Sequence, residues 1–317
     1  MSRILVTGGA GFIGSHVCER LLARGDDVVV LDNFNDFYDP ALKRANAALL
    51  VHARIVEGDI RDRALCAELF AEQDFDAVIH LAAMAGVRPS VQDPLHYEDV
   101  NVRGTMVLLE ELRRRPATRL VFASSSSVYG ARDKMPFSEN DDIPYPVSPY
   151  AATKRAGELM CYTYHHLFGV KASCLRFFTV YGPRQRPEMA IAKFTRAITD
   201  GTPIPFYGDG STRRDYTYVD DIVDGVIAAL ERCSGYHIYN LGESATTSLS
   251  ELVEGLARNV GKPALLDRQP LQAGDVPLTC ADISRAQRDL AYAPRVPVSD
   301  GLRLFVDWFR KVPAAAR

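Results

Sequence analysis

Short, almost uninterrupted apolar runs alternate with longer amphipathic stretches through the first half of the chain. The runs Ile4–Thr7, Val28–Leu31, Arg54–Glu57, Ala77–His80, Leu120–Ala123 and Lys171–Arg176 read as strands. Between them, Phe12–Ala23, Ala64–Ala71, Val102–Arg114 and Tyr150–Phe168 space their apolar residues as helices do. Strands that are apolar on both faces and separated by helices predict a doubly wound parallel α/β sheet. After about residue 175 the rhythm loosens. Prolines at 183, 187, 203 and 205 and glycines at 201, 208 and 210 punctuate it, and shorter helices are expected at about 189–200, 219–231, 249–260 and 299–310. This pattern predicts a first domain over 1–175, with a return of the chain to it near 213–240. A smaller domain over 176–317 is expected beside it, with a ligand between the two.

Composition adds exclusions. The 317 residues are 47% hydrophobic and 24% charged, as in ordinary globular proteins. No apolar stretch approaches the roughly 20 residues of a membrane helix. A net charge of −3 gives no reason to expect nucleic acid or an anionic membrane as partner. The chain runs from its first residues straight into a strand, which does not read as a signal peptide. Six cysteines are scattered without a C-x-x-C pair, so neither a metal site nor a disulfide framework is expected. A reducing cytoplasm fits.

Two local patterns carry chemistry. Thr7-Gly8-Gly9-Ala10-Gly11-Phe12-Ile13-Gly14 joins the first strand to the first helix. Its glycines allow a tight turn and let backbone approach a pyrophosphate at the helix N-terminus, where N–H groups and the dipole favour anions. Asp32 closes the second strand, where an acid accepts hydrogen bonds from an adenosine ribose and repels a 2′-phosphate, favouring NAD over NADP. Asp59-Ile60 after the third strand is expected to reach the adenine. Leu81-Ala82-Ala83 after the fourth offers small residues beside a cofactor. The second pattern is Tyr150 and Lys154, four apart and so on one helix face. A phenol is a poor base at neutral pH, and a nearby ammonium draws its pKa down.

These motifs, with Ser124-Ser125-Ser126-Ser127-Val128-Tyr129-Gly130 between them, resemble the extended short-chain dehydrogenase/reductase family in order and over essentially the whole chain. The resemblance implies a Rossmann-type sheet with a smaller C-terminal α/β substrate domain, NAD as cofactor, and Tyr150, Lys154, Ser125 and Ser127 at the catalytic centre. It sets NAD against Gly8, Gly11, Phe12, Ile13, Gly14, Asp32, Asn33, Asp59, Ile60, Leu81, Ala82, Ala83, Asn101, Tyr150, Lys154 and Phe177. Family members that dehydrate sugars carry Asp-Glu at the positions of Ser126 and Ser127, and decarboxylating members carry an acid before V-Y-G. Neutral serines here point instead to redox-neutral epimerisation.

Several segments resemble the nucleotide-sugar 4-epimerases, above all those acting on UDP-glucuronate. They are Asp32–Pro40, Leu42-Lys43-Arg44, Ala82–Arg88 (with Met84 where glutamine is usual), Phe178–Pro183, Arg186–Ala190 and Gly274–Asp282 (with Cys280 at an aromatic position). The implied substrate residues are Arg88, Ser126, Ser127, Thr179, Arg186, Met189, Arg214 and Asp275. Among them Thr179 and Arg186 would meet a C6 carboxylate, Arg214 the diphosphate and Asp275 the uridine ribose. The expected reaction exchanges UDP-glucuronate and UDP-galacturonate through a 4-keto sugar. UDP-glucose or UDP-N-acetylglucosamine remains open as the substrate, as does a non-catalytic NAD-binding role. The resemblance also implies a homodimer through helices near 96–114 and 149–168.

Overall fold

A computed structural model describes residues 1–132, 134–270 and 277–312. The chain opens with β1 (Arg3–Thr7), α1 (Phe12–Ala23), β2 (Asp27–Asp32), α2 (Pro40–Ala48), β3 (Arg54–Glu57), α3 (Arg63–Glu72) and β4 (Ala77–His80). Two short helices, α4 (Val87–Gln92) and α5 (Pro94–Glu98), lead through a π-helical turn over Asp99–Arg103 into α6 (Gly104–Leu112). Next come β5 (Arg119–Ser125), a 3₁₀ turn over Ser126–Tyr129, α7 (Pro149–Phe168) and β6 (Lys171–Phe177). The second half comprises β7 (Thr179–Tyr181), α8 (Ala190–Asp200), β8 (Ile204–Tyr207), β9 (Arg213–Arg214), β10 (Tyr216–Tyr218), α9 (Val219–Glu231) and β11 (Tyr236–Leu241). It closes with β12 (Thr247–Ser248), α10 (Leu249–Val260), β13 (Leu266–Gln269), α11 (Ser284–Leu290) and α12 (Val298–Lys311).

Seven strands form one parallel sheet in the order β11-β6-β5-β4-β1-β2-β3. The continuous apolar runs follow from it, because successive side chains point to opposite faces and both faces are covered. Ile4, Val6, Val28, Val30, Ile79 and Val121 face the layer containing α1 and α9. Their neighbours Leu5, Val29, Leu31, Val78, Leu120 and Phe122 face α3, α6 and α7. The expected helix over Val102–Arg114 is shorter, since the π-helical turn takes its first residues. The seventh strand was not anticipated as a strand. Its sequence, Tyr-His-Ile-Tyr-Asn-Leu, mixes polar with apolar residues because it is an outer strand, paired on one side with β6.

Smaller pairings build the other half: β7 with β10 and β8 with β13 in parallel, β9 with β12 antiparallel. There α10 starts on a capping box between Ser248 and Glu251. No helix among the described residues is long and apolar enough to cross a membrane.

Helix α7 is set by its ends. Ser148 caps it, its hydroxyl accepting from the Ala151 amide at 3.1 Å, Pro149 occupies the first turn, and Gly169 closes it in the left-handed conformation. It lies unusually close to the sheet, because a Cβ on Gly157 would stand 2.4 Å from the Phe122 ring. Gly157→Ala should therefore destabilise the fold by about 1–3 kcal/mol through overpacking. A urea midpoint equal to that of the unaltered protein would show that the ring has room to yield.

Candidate active site

The carboxyl ends of the strands open onto a cavity of about 370 Å³. At one end, backbone packs directly on backbone. Gly8 adopts φ +71°, and a Cβ there would lie 2.7 Å from the Ala82 amide nitrogen. A Cβ on Gly14 would lie 2.1 Å from the Gly8 carbonyl oxygen. Gly11 forms the N-cap of α1 without a capping side chain. Phe12, Ile13 and Gly14, the leading residues of that helix, line the cavity. A first helical turn left uncapped at a cavity presents amide donors and the positive dipole end to an anion.

Asp32 lies beside this cradle, buried, its carboxylate accepting from the amides of Ala10 at 3.1 Å and Phe34 at 2.9 Å. Burial raises its pKa, and those amides and Lys43 counter the rise. Asn33, Ile60, Leu81, Ala82 and Ala83 share the lining. His80 sits below with a structural part. It is held between Thr7 at 2.7 Å and Thr105 at 3.0 Å, and burial, with Lys154 adding, drives its pKa to about 3, so it is neutral.

At the other end, β5 delivers its serines. The Ser125 hydroxyl accepts from the Ser127 amide at 3.1 Å and is hydrogen-bonded to the Ser127 hydroxyl at 3.1 Å, holding the 3₁₀ turn. Ser125, Ser126, Ser127, Tyr150, Lys154, Phe177, Thr179, Arg186 and Met189 all line the same cavity. Burial pushes the Tyr150 phenol up, and two neighbours pull it back: the Ser125 hydroxyl and the Arg186 guanidinium. The buried Lys154 ammonium donates to the Ala123 carbonyl at 2.8 Å, and burial lowers its pKa to about 8. Lys154 was expected to draw down Tyr150, yet in this geometry Ser125 and Arg186 do so, the ammonium being turned toward β5. Arg186 also contacts Glu188 at 3.2 Å and stands over the Phe37 ring at 5.6 Å.

Four expected site residues lie outside the cavity lining. Asp59 is tied to Asn33 at 2.9 Å and to Arg61 at 2.8 Å, so it holds the Asn33 amide. Asn101 brackets the Met84 backbone, accepting from its amide at 2.8 Å and donating to its carbonyl at 2.9 Å, so it shapes the loop after β4. Arg88 is exposed over the Tyr207 ring. Arg214 donates to the Arg213 carbonyl at 2.9 Å. Asp275 falls outside the described residues. Conversely, Asn35, Phe37, Tyr38 and Lys43 line the cavity without having been singled out. Their signal was the loop resemblance over 32–44, which named the segment but not the individual side chains.

The chain matches the NAD dependent epimerase/dehydratase family over residues 4–242. It is 46% identical to UDP-glucuronate 4-epimerase 4 of Arabidopsis thaliana, over 96% of this chain and 75% of that protein. The crystal structure of UDP-glucuronic acid 4-epimerase from Bacillus cereus, in complex with UDP-glucuronic acid and NAD, superposes with a TM-score of 0.91. Identity there is 38%, with 98% of this chain and 99% of that chain covered. UDP-glucose 4-epimerase from Thermotoga maritima, solved with UDP-glucose, also gives 0.91, at 34% identity over 98% and 99% of the two chains.

The electrostatics of Tyr150 can be read without any substrate. Since the Ser125 hydroxyl and the Arg186 charge both lower its pKa, Ser125→Ala and Arg186→Ala should each move phenol ionisation to higher pH. Absorbance at about 295 nm, taken as the difference from a Tyr150→Phe variant, isolates this group. A shift to lower pH in either variant would contradict the geometry.

Proposed function

The chain belongs to the NAD dependent epimerase/dehydratase family, and from that premise we propose that it interconverts UDP-glucuronate and UDP-galacturonate by inverting C4. The observation that carries this reading is the distribution of charge around the cavity. Asp32, at the cradle end, is the only carboxylate among the described lining residues, while Arg186 stands near Tyr150 with Thr179, Ser126 and Ser127 in the same lining. Elimination of water needs an acid and a base beside the sugar. Neutral hydroxyls with a guanidinium suit binding of a sugar carboxylate instead.

The cradle fits a pyrophosphate, because glycines at 8, 11 and 14 let the turn close backbone on backbone and bring the uncapped start of α1 to the cavity. Bound there, NAD supplies a reversible hydride acceptor. The protein's own part is proton and position. Tyr150 takes the proton of the sugar 4-hydroxyl, and the Ser125 hydroxyl holds that oxygen. The Lys154 ammonium donates to the Ala123 carbonyl at 2.8 Å, one turn along α7 from Tyr150, and so fixes the helix face that carries the phenol. The 4-keto sugar then turns its other face, and Tyr150 returns the proton. For a uronate this ketone is a β-keto acid, prone to lose carbon dioxide. Arg186 and Thr179 suppress that loss by holding the carboxylate with its C–C bond near the ring plane.

We also assign a homodimer built on α6 and α7. These neighbouring helices expose Met106, Leu159, Tyr162 and Leu167, apolar side chains that a second copy would cover. Light scattering should give twice the chain mass, and Leu159→Glu with Tyr162→Glu should halve it. A monomer at micromolar concentration removes the assignment.

Incubation with UDP-glucuronate, UDP-glucose and UDP-N-acetylglucosamine in parallel, with sugar analysis of the products, tests the reaction. UDP-galacturonate should form without added NAD and without free NADH accumulating. Tyr150→Phe should lower kcat by about 10²–10⁴-fold. Arg186→Ala should raise KM for the uronate about tenfold, the effect of losing about 1.4 kcal/mol of binding, and leave KM for any neutral hexose unchanged. Near-normal turnover by Tyr150→Phe, or a neutral hexose as the preferred substrate, defeats the proposal.

A further inference from the structure

Tyr150, Lys154 and Glu158 follow one another at intervals of four along α7 and therefore share the face turned to β5. Each is met by one of three consecutive residues of that strand. The Ala123 carbonyl accepts from Lys154 at 2.8 Å, the Ser124 hydroxyl donates to Glu158 Oε1 at 2.6 Å, and the Ser125 hydroxyl shares the cavity lining with Tyr150, near enough to pull its phenol pKa down. Glu158 has a further anchor. Arg176 on β6 grips its carboxylate with a two-pronged fork, Nε to Oε1 at 2.8 Å and Nη2 to Oε2 at 2.9 Å. Ser124 and Arg176 are direct register partners across β5 and β6. One carboxylate thus ties both halves of a single cross-strand pair to the helix.

Glu158 is fully buried and Arg176 nearly so. Burial alone would push the Glu158 carboxyl up, but Arg176, Ser124 and Arg155 hold it below the usual glutamate range, so it is ionised. A buried ion pair of this kind is a weak source of stability, since apolar residues of similar volume serve as well or better. Its geometry is what apolar residues cannot reproduce. An apolar face allows a helix to slide or roll by fractions of an ångström. A forked ion pair with two further hydrogen bonds, from Ser124 and Arg155, does not.

We propose that Glu158, clamped between Ser124 and Arg176, is a positioning residue that sets the register of α7 on β5 and so the contact between Tyr150 and Ser125. The assignment rests on Tyr150 acting as the base. Losing the clamp lets Tyr150 drift from Ser125, and a drift of about 1 Å can cost up to about 10²-fold in rate.

The test compares Glu158→Gln with the double variant Glu158→Met/Arg176→Met in the full-length protein. Both should lower kcat at least tenfold with KM for UDP-glucuronate changed less than twofold. Both should move the acidic limb of the kcat profile, and the Tyr150 phenolate titration, to higher pH. The double variant should nevertheless melt at or above the temperature of the unaltered protein. The direction of the pH shift separates the possibilities. Removing only a negative charge near a phenol would lower its pKa, so a shift to lower pH in Glu158→Gln overturns the proposal. A double variant with unaltered kcat and pH profile also overturns it, for the pair would then be merely structural. Because the phenolate titration needs no substrate, it still reads the clamp if Tyr150→Phe shows that another group is the base.

Discussion

Charge taken into a protein interior must be answered there, and helix α7 carries two such charges along a single face. Lys154 and Glu158 lie beside the sheet where water would otherwise solvate them, and strand β5 meets both, with a main-chain carbonyl for one and a hydroxyl for the other, while Arg176 and Arg155 balance the Glu158 charge. Other features of the site follow from that arrangement. The helix must lie close enough for these bonds, hence a glycine at 157 against the Phe122 ring. The strand must end in small hydroxyl residues, hence the serine run that turns into the cavity. Desolvation then becomes useful, since it lowers the Lys154 pKa to about 8 and makes the Tyr150 phenol responsive to the few groups that touch it.

The two ends of the cavity solve different problems with different chemistry. At the cradle, recognition falls mainly to backbone, glycines and an uncapped helix start, joined by one buried side-chain carboxylate whose own acceptor capacity is partly used by the Ala10 and Phe34 amides. At the opposite end it is carried by side chains that can donate in several directions, the serines, Thr179 and Arg186. A backbone cradle suits a ligand that stays, because it costs little side-chain ordering. Mobile hydroxyl donors suit a sugar that must be accepted in two orientations.

Much of this was legible in the sequence, for physical reasons that differ from place to place. Helix α1 was readable to the residue because a glycine turn and an apolar periodicity coincide at Phe12. The inner strands were readable because double-sided burial leaves continuous apolar runs. Strand β11 was not, since one edge lies open and its residues His237 and Asn240 break the pattern. Helix α2 was likewise missed: Pro-Ala-Leu-Lys-Arg-Ala-Asn-Ala-Ala contributes only Lys43 and Asn46 to the buried set, both polar. That polar burial is also why Lys43 escaped notice at the site. Its ammonium is spent on the Asn35 carbonyl and side chain, at 2.8 and 2.6 Å, a local contact that no spacing rule announces. Glu158 was hidden differently. It continues the four-residue interval of Tyr150 and Lys154, but a third charged residue on a helix ordinarily reads as a solvated position. Asp59 and Asn101, assigned to a ligand by resemblance, also brace the loops around the cavity, a part that the resemblance did not name.

The position of β11 has a consequence for synthesis on the ribosome. Strand β6 ends at Phe177, but the strand that covers its outer edge begins only at Tyr236. A nascent chain that has emerged through β6 holds six strands in place with that edge bare, while the following residues build β7 to α9. At about 5–20 residues per second, that interval lasts several seconds. During it the row of free amides and carbonyls on β6 is a template for any extended segment within reach. The early protein is thus most in need of shelter at the side where its last sheet strand has yet to arrive.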